Sequence, residues 1–205
     1  MRERDNRPSI GCAVLAAGAG TRFGRPGEKL VARARGKPLV QHAIDAACES
    51  RATHCSVILG AGAEAVLAAV DPRRASVYAN DGWARGLSSS IAVATGAHAG
   101  DDALVLLLGD APGVTCADVD ALIDAWLRRR DRAAALRRGT IWGAPAIFPR
   151  SRFEALAGLR GDRGAKGSAL LPAGRTTFVE STGASAFVDV DRRADLSRLS
   201  ARKTM

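Results

Sequence analysis

Continuous apolar runs alternate with amphipathic segments along most of the chain. The apolar runs have the character of buried strands, and they cover residues 10–15, 54–59, 76–79 and 103–108. The amphipathic segments repeat their apolar positions with a helical period, and they cover residues 38–49, 63–70, 86–98 and 115 to about 130. Pro38 suits the first turn of one predicted helix, and Thr115 suits the N-cap of another. The pattern therefore predicts repeated strand–helix units.

The last third of the chain is less regular. Strands are predicted at residues 133–136, 144–148, 176–180 and 186–190, with a helix at 151–159 and a final one from Asp195. Continuous apolar strands that alternate with helices are typical of a mostly parallel sheet covered on both faces, so the predicted class is α/β. We expect a single domain over residues 9–200, with disordered ends at 1–8 and 201–205.

Composition and charge narrow the function classes. Of the 205 residues, 47% are hydrophobic but only 4% are aromatic, so the core is expected to consist mainly of Ala, Val, Leu and Ile. No apolar run approaches the roughly eighteen residues that span a membrane, and no signal peptide is visible, which predicts a cytoplasmic protein without membrane contact. The formal net charge of +9 suits anionic ligands. Nucleic-acid binding would rest on that charge alone, because no set of stacking aromatics accompanies it.

Three glycines and two cations follow the first predicted strand. Gly18, Gly20 and Gly24 come after the apolar run, and Arg22 and Lys29 lie among and beyond them. A glycine-rich turn at a strand end lets backbone N–H groups approach an anion without obstruction by a Cβ atom. The spacing is not that of a P-loop, and it misses the dinucleotide-binding G-x-G-x-x-G by one residue. Because the glycines occur with two cations, they predict phosphate binding rather than a purely structural turn.

A carboxylate follows the most apolar of the predicted strands. Asp110 comes just after Leu108, where an unpaired buried carboxylate would be costly. It is either the first residue of a local Asx turn or a ligand for Mg²⁺ held against phosphate oxygens. Mg²⁺ often takes a second carboxylate, for which Asp189 and Asp191 are the candidates, and the sequence leaves that choice open. Because ligands bind outside the carboxyl ends of parallel strands, Asp110 and the glycine turn are expected at one site.

Residues 80–90 form a predicted loop that enters a helix. Gly86 precedes three consecutive serines at 88–90, whose N–H groups and hydroxyls suit a polar ligand, and plain N-capping explains them equally well. The three histidines lie far apart in sequence, and no Ser/His/Asp arrangement or histidine-rich metal motif is visible. Catalysis by histidine or cysteine therefore has little support, which leaves metal-assisted phosphoryl chemistry.

Taken together, these segments resemble the MobA-like NTP transferases, and most of all the branch of molybdenum cofactor cytidylyltransferases. The likeness covers about residues 9–200. It rests on segments that follow one another in the family's order: Leu15-Ala-Ala-Gly-Ala-Gly-Thr-Arg-Phe-Gly24 with Lys29, Gly36-Lys-Pro-Leu39, Asn80 with Gly86-Leu-Ser-Ser-Ser90, Gly109-Asp-Ala-Pro112, Gly143-Ala-Pro-Ala-Ile-Phe148, Arg160-Gly-Asp-Arg-Gly-Ala165 and Asp189-Val-Asp191. Two features differ from that pattern. The stretch from Gly24 to Lys29 is a residue or two longer, and Ala144 stands where a histidine is common in the cytidylyltransferase branch.

The resemblance implies a Rossmann-like nucleotidyltransferase fold, with a mixed, mostly parallel sheet flanked by helices on both faces. It also implies an enzyme that transfers CMP from CTP to the molybdopterin cofactor with Mg²⁺ and releases pyrophosphate. The expected protein is a monomer or a weak homo-oligomer, and a molybdoenzyme apoprotein is an expected partner.

The same resemblance assigns roles to individual residues. It implies that the nucleotide is bound by Leu15, Ala16, Ala17, Gly18, Gly20, Thr21, Arg22 and Lys29. The implied catalytic residues are Arg22, Lys29 and Asp110, and the implied metal ligands are Asp110 and Asp191. The implied acceptor-binding residues are Gly86, Ser88, Ser89, Gly143 and Pro145.

Other functions remain open on the sequence. The acceptor could instead be molybdopterin that receives a guanylyl group, a sugar-1-phosphate or a phospholactate-like acid. A different class is a catalytically idle nucleotide-binding module that serves a molybdoenzyme. The presence of Lys29, Asp110 and Asp191 argues against an idle module, because a protein that only binds has no need of all three.

Overall fold

Seven strands form one mixed sheet in the computed structural model, which describes residues 7–162, 170–181, 187, 190 and 192–196. The strands are β1 (Ile10–Ala16), β2 (Arg33–Ala34), β3 (Lys37–Pro38), β4 (His54–Leu59), β5 (Ser76–Ala79), β6 (Ala103–Leu108), β7 (Ala133–Arg138), β8 (Ile141–Pro149) and β9 (Thr176–Glu180), of which β2 and β3 form a separate small hairpin. The helices are α1 (Glu28–Val31), α2 (Leu39–Glu49), α3 (Ala63–Ala69), α4 (Leu87–Ala97), α5 (Cys116–Arg128) and α6 (Phe153–Ala157).

The sheet has the order β5-β4-β1-β6-β8-β7-β9. Strands β5, β4, β1 and β6 are parallel, whereas β8 runs antiparallel to both β6 and β7, and β9 is parallel to β7. Leu15 near the end of β1 pairs with Ile58 of β4 on one side and with Leu108 of β6 on the other. The carboxyl ends of these three strands therefore meet at one edge, as the sequence predicts.

Helices cover both faces of the sheet. On one face, α2 and α5 pack Val40, Ile44, Leu122 and Trp126 into a continuous apolar cluster. On the other face, α4 and α6 contribute Ile91, Ala94, Phe153 and Leu156 to a second cluster. Alanine, valine, leucine and isoleucine supply most of both clusters, as expected from a chain poor in aromatic residues. The α/β class and the helices on both faces are thus confirmed. No helix in the described part of the chain has both the length and the apolar character needed to cross a membrane.

Several element boundaries differ from the prediction. Pro38 lies in β3 with extended backbone (φ −53°, ψ 144°) and precedes helix α2 rather than opening it. Strands β7 and β8 are longer than predicted because they pair as a hairpin as far as Arg138 and Ile141. Of the strand predicted at 186–190, Phe187 lies in a turn and Val190 is outside regular structure, while its other residues fall outside the described residues.

A Ser–His–Asp arrangement lies at the edge of the sheet opposite the carboxyl ends, and the sequence prediction that no such arrangement occurs is wrong. Ser56 Oγ is 2.8 Å from His98 Nε2, and His98 Nδ1 is 2.7 Å from Asp101 Oδ2. Asp101 also accepts hydrogen bonds from Ser9 and His54. Burial alone would raise the pKa of Asp101, but the hydrogen bonds from these three partners outweigh it and lower that pKa.

This polar group has a structural explanation. Ser56 pairs with Ala13 of β1 and Ser76 of β5 inside the sheet, and its side chain is buried. The hydrogen bonds to His98 and Asp101 join the turn between α4 and β6 to strand β4 and to Ser9, which precedes β1. The sequence could not reveal the contact because Ser56 and His98 are 42 residues apart.

Replacement of Gly11 by alanine tests how tightly this turn is packed. A Cβ atom at Gly11 would lie 2.2 Å from His98 Nδ1 and 2.8 Å from Asp101 Oδ2. We expect Gly11→Ala to lower the free energy of unfolding by about 1–3 kcal/mol, because the buried imidazole must shift. The matched control is Gly96→Ala within α4, where an added Cβ meets no atom within 4 Å and helix propensity favours alanine by up to about 1 kcal/mol. Urea unfolding that gives the two variants equal stability would contradict this packing.

Candidate active site

The loop after β1 forms one wall of a cleft of about 500 Å³ at the carboxyl edge of the sheet. The described residues that line the cleft are Leu15, Ala17, Gly18, Ala19, Gly20 and Thr21 on the loop side and Trp83, Ala84, Gly86, Leu87, Ser90 and Asp162 on the opposite side. Five of the eight residues assigned to nucleotide binding thus line a single cleft. Ala16 is buried at the end of β1 and, like Arg22 and Lys29, is not among the described lining residues.

The glycine loop, residues 17–27, is held by a turn at Gly20 and an anchor at Phe23. Gly20 has a φ of +61°, a left-handed conformation that favours glycine, and its carbonyl accepts a 2.8 Å hydrogen bond from the Phe23 N–H. Phe23 is buried against Leu39 and Val190. Thr21 and Arg22 are exposed between these two fixed points. The loop therefore exposes Thr21, Arg22 and Arg25, while Phe23 fixes it to the core.

Lys29 and Asp110 meet at the carboxyl edge of the sheet. Lys29 Nζ is 2.6 Å from Asp110 Oδ2, and the side chains are 11% and 28% exposed. Helix α1 carries Lys29, and Asp110 follows the end of β6 directly, so the ion pair joins segments 81 residues apart in the sequence. The carboxylate of Asp110 is therefore paired with a lysine of the helix that follows the glycine loop.

Asp110 fits the role of one metal ligand. It offers a hard carboxylate oxygen at a strand end, and Mg²⁺ typically takes one or two such ligands and completes its shell with phosphate oxygens and water. Within the described residues, no group of three or more His, Cys, Asp or Glu side chains is placed to hold a metal by itself. The second predicted ligand, Asp191, and its alternative Asp189 lie outside the described residues.

The chain on both sides of position 191 contacts the glycine loop. Val190 is fully buried in the cluster that contains Phe23. Arg193 places an Nη2 atom 2.9 Å from Glu28 Oε2, and its guanidinium lies 5.2 Å from the centre of the Phe23 ring. Val190 and Arg193 therefore contact the glycine loop and the helix that carries Lys29.

The predicted acceptor residues of α4 are in different environments. Gly86 lines the cleft, and a Cβ atom there would lie 2.5 Å from Asp162 Oδ1, so the close approach of these loops requires glycine. Ser88 and Ser89 are buried and are not among the described lining residues. Ser89 Oγ donates to the Gly86 carbonyl at 2.8 Å, and the Ser88 N–H donates to the Gly161 carbonyl at 3.1 Å. Within the described residues no side chain caps α4, so the N-capping alternative is not observed; Ser89 is held by a bond within its own turn, and the backbone of Ser88 joins α4 to the loop at Gly161.

The other two predicted acceptor residues lie on β8, beside a second cavity of about 270 Å³. Gly143 lines that cavity, whereas Pro145 is buried and is not among its described lining residues. Leu15 and Leu87 line both cavities, so the two spaces adjoin. The sequence reasoning missed Trp83 and Asp162 as cleft residues, although both belong to segments that it singled out.

Comparison with known proteins gives a family match. A family model described as the MobA-like NTP transferase domain matches residues 12–176. The chain is 32% identical over 170 residues to the nicotine blue oxidoreductase of Paenarthrobacter nicotinovorans, an alignment that covers 78% of this chain and 80% of that protein. It is 34% identical over 122 residues to the bifunctional protein GlmU of Chromohalobacter salexigens, where the alignment covers 60% of this chain and 26% of that protein. The chain thus spans about a quarter of the length of GlmU.

Solved structures share the architecture. The structure of Rv0371c from Mycobacterium tuberculosis H37Rv has a TM-score of 0.79 and 29% sequence identity, and the match covers 94% of this chain and 97% of that chain. A complex of Rv0371C with manganese has a TM-score of 0.73 at 28% identity and covers 93% of this chain and 97% of that chain. The Rossmann-like fold with its mixed sheet is confirmed by these neighbours.

The contacts of Arg193 predict a measurable effect on the glycine loop. Arg193→Gln removes both the ion pair to Glu28 and the contact with the Phe23 ring. We expect amide hydrogen exchange in residues 17–28 to become about two- to fivefold faster, since an exposed ion pair and a cation–π contact are each worth about 1 kcal/mol or less. Arg192→Gln is the matched control, because it removes the same charge from a neighbouring exposed residue. Equal exchange rates in the two variants would show that Arg193 does not order the loop.

Proposed function

The chain belongs to the MobA-like NTP transferase family, an enzyme family of nucleotidyltransferases, and we propose that it transfers a nucleoside monophosphate from an NTP to a phosphorylated acceptor with release of pyrophosphate. The observation that carries this proposal is the contact between Lys29 and Asp110 beside a glycine-lined cleft. A cation and a carboxylate at that position supply charge for a triphosphate and a ligand for its metal.

The donor is proposed to be CTP and the acceptor molybdopterin. The support is the order of motifs, which resembles the cytidylyltransferase branch more than other branches of the family. Ala144 stands in place of the histidine that is common in that branch. For this reason two alternatives remain: guanylyl transfer to molybdopterin, and transfer to a sugar-1-phosphate or a phospholactate-like acid. The cytoplasmic location, the oligomeric state, the molybdoenzyme partner and the absence of nucleic-acid binding stay predictions.

In the proposed mechanism, the glycine loop and two cations receive the triphosphate. The backbone of residues 15–18 would hold the base, Gly20 would approach the triphosphate, and Arg22 and Lys29 would neutralise the charge that develops on the leaving pyrophosphate. An acceptor phosphate oxygen attacks the α-phosphorus in line, which forms the new P–O bond as the bond to pyrophosphate breaks. In this proposal the enzyme positions the two substrates and neutralises phosphate charge, and no covalent intermediate with the protein forms.

A divalent metal completes this site. When bound, Mg²⁺ would neutralise phosphate charge and orient the leaving group. Asp110 would hold it together with Asp191, which stays a proposal because that residue lies outside the described residues. Two findings support a divalent metal: the position of the Asp110 carboxylate just beyond the end of β6, and the manganese complex of a structural neighbour with 28% identity. Lys29 would then exchange its contact with Asp110 for a contact with phosphate.

A second candidate function has one specific observation in its favour. The relative that the chain covers to 80% of its length is named an oxidoreductase rather than a transferase. A nucleotide-binding protein with a redox role, or an idle accessory module, would keep the cleft without the transfer reaction. The experiment that separates these functions incubates the protein with Mg²⁺, molybdopterin and each NTP in turn, and measures pyrophosphate. Pyrophosphate release that EDTA abolishes supports the transfer reaction. If no NTP gives pyrophosphate and the protein oxidises NADH or NADPH, the redox role is supported instead.

Alanine substitutions test the ion pair directly. We expect Lys29→Ala and Asp110→Ala each to lower the rate of pyrophosphate release by about 100-fold or more, because each removes a charge that the transition state needs. Lys37→Ala is the matched control: Lys37 Nζ also lies 2.6 Å from a carboxylate, that of Asp45, but neither residue has a role in the proposed site. Circular dichroism would check that all three variants fold. Turnover like that of the wild type in either of the first two variants would rule out the assigned role.

A further inference from the structure

Three of the four cysteines lie close together beside the C-terminal end of helix α2. Cys12 of β1 and Cys55 of β4 are directly paired in the parallel sheet, so their side chains lie on the same face. Both belong to the apolar cluster that α2 covers, and Cys48, the last residue but one of that helix, packs against the same cluster. None of these three thiols has a role in the proposed mechanism.

Cys48 and Cys55 interact directly. A side-chain hydrogen bond joins the two thiols, and Cys55 Sγ also donates to the carbonyl of Ala47, the residue before Cys48, at 3.2 Å. Cys48 is half-buried, whereas Cys55 and Cys12 are buried. A small reagent from solvent therefore meets Cys48 first, with the sulfur of Cys55 as its neighbour.

A fixed cation lies beside this thiol pair. Arg74 donates a 2.8 Å hydrogen bond to the Cys48 carbonyl and further hydrogen bonds to carbonyls in the turn between α2 and β4. The hydrogen bond from Cys55 and the charge of Arg74 lower the pKa of Cys48. The same contact and burial raise the pKa of Cys55. The two thiols therefore differ in chemistry: Cys48 is the nucleophile, and Cys55 keeps its proton.

From this arrangement we propose that Cys48 and Cys55 are a site of oxidation by peroxide, which closes a disulfide between α2 and β4. The Cys48 thiolate attacks one peroxide oxygen, so an S–O bond forms, the O–O bond breaks and hydroxide leaves. The sulfur of Cys55 then attacks the Cys48 sulfur: the S–S bond forms, the S–O bond breaks, and the proton of Cys55 leaves with the oxygen as water. The two thiols lose two electrons, which reduce one peroxide. This inference does not depend on the proposed transfer reaction.

Cys12 is the other neighbour of Cys55, and the structure favours Cys48 as the partner. Cys12 is fully buried in β1, which lies between β4 and β6 in the sheet. Burial raises the pKa of Cys12 to about 12, so its thiol stays protonated. Peroxide therefore has neither access to Cys12 nor a thiolate there to react with.

Trypsin allows the disulfide to be detected, because Arg51 lies between the two cysteines. Cleavage gives one peptide of residues 36–51 with Cys48 and another of residues 52–73 with Cys55. Reduced protein is treated with hydrogen peroxide, unfolded in the presence of iodoacetamide, digested without reductant and measured by mass spectrometry. We expect the two peptides to be joined, in about tenfold or greater yield than without peroxide, and to separate on treatment with dithiothreitol.

Single substitutions identify the partners. Cys48→Ser and Cys55→Ser should each abolish the joined peptides, and the half-buried position of Cys48 should let that variant fold even if the buried one does not. Cys116→Ser is the matched control, because Cys116 is also a half-buried cysteine of a helix, the first residue of α5. Cys116→Ser and Cys12→Ala should both keep the link.

The outcomes decide the inference. A peroxide-dependent link that is lost in the Cys48 and Cys55 variants and kept in the Cys12 and Cys116 variants supports it. Peroxide-treated protein without joined peptides would overturn it, and so would a link from Cys55 to the peptide that contains Cys12. Non-reducing electrophoresis checks that the link lies within one chain, and a covalent dimer in place of the monomer would equally contradict the proposed pair.

Discussion

Parallel pairing of β1 with β6 places Leu15 opposite Leu108, and the candidate site depends on this register. The Gly109 N–H donates to the Leu15 carbonyl at 2.9 Å, so the two chains leave the sheet side by side. One continues into the glycine loop and reaches Lys29, and the other turns directly to Asp110. A shift of one residue in the pairing would turn alternate side chains to the other face of the sheet and separate the two charged groups. The ion pair is therefore a consequence of the strand register.

The adjoining cavities divide the site by polarity. The cleft beside the glycine loop presents backbone groups and small polar side chains, which suit phosphates and a nucleotide. The cavity beside β8 presents aliphatic and aromatic side chains that continue the core. Leu15 and Leu87 separate the two, so a group that bridges them would pass from a polar to an apolar environment within one site. This arrangement is suited to joining two ligands of unlike chemistry.

The C-terminal segment links the end of the chain to its first loop. Val190 packs with Phe23 and Leu39, and Arg193 contacts both Glu28 and Phe23. The glycine loop and helix α1 therefore contact residues more than 160 positions away in the sequence.

Local patterns were enough to predict most of the sheet strands, the longer helices and the glycine-rich turn after β1. Continuous apolar runs indicate buried strands. The glycines and cations after residue 15 are neighbours in the chain, so their grouping is evident from the sequence alone. Long-range contacts could not be read in this way. The pairing of Lys29 with Asp110, the burial of Ser88 and Ser89, the Ser56–His98–Asp101 contacts and the apolar lining of the cavity beside β8 all join segments far apart in the sequence. Their partners are chosen by strand register and helix packing, which depend on the whole fold, so only the tertiary structure decided them.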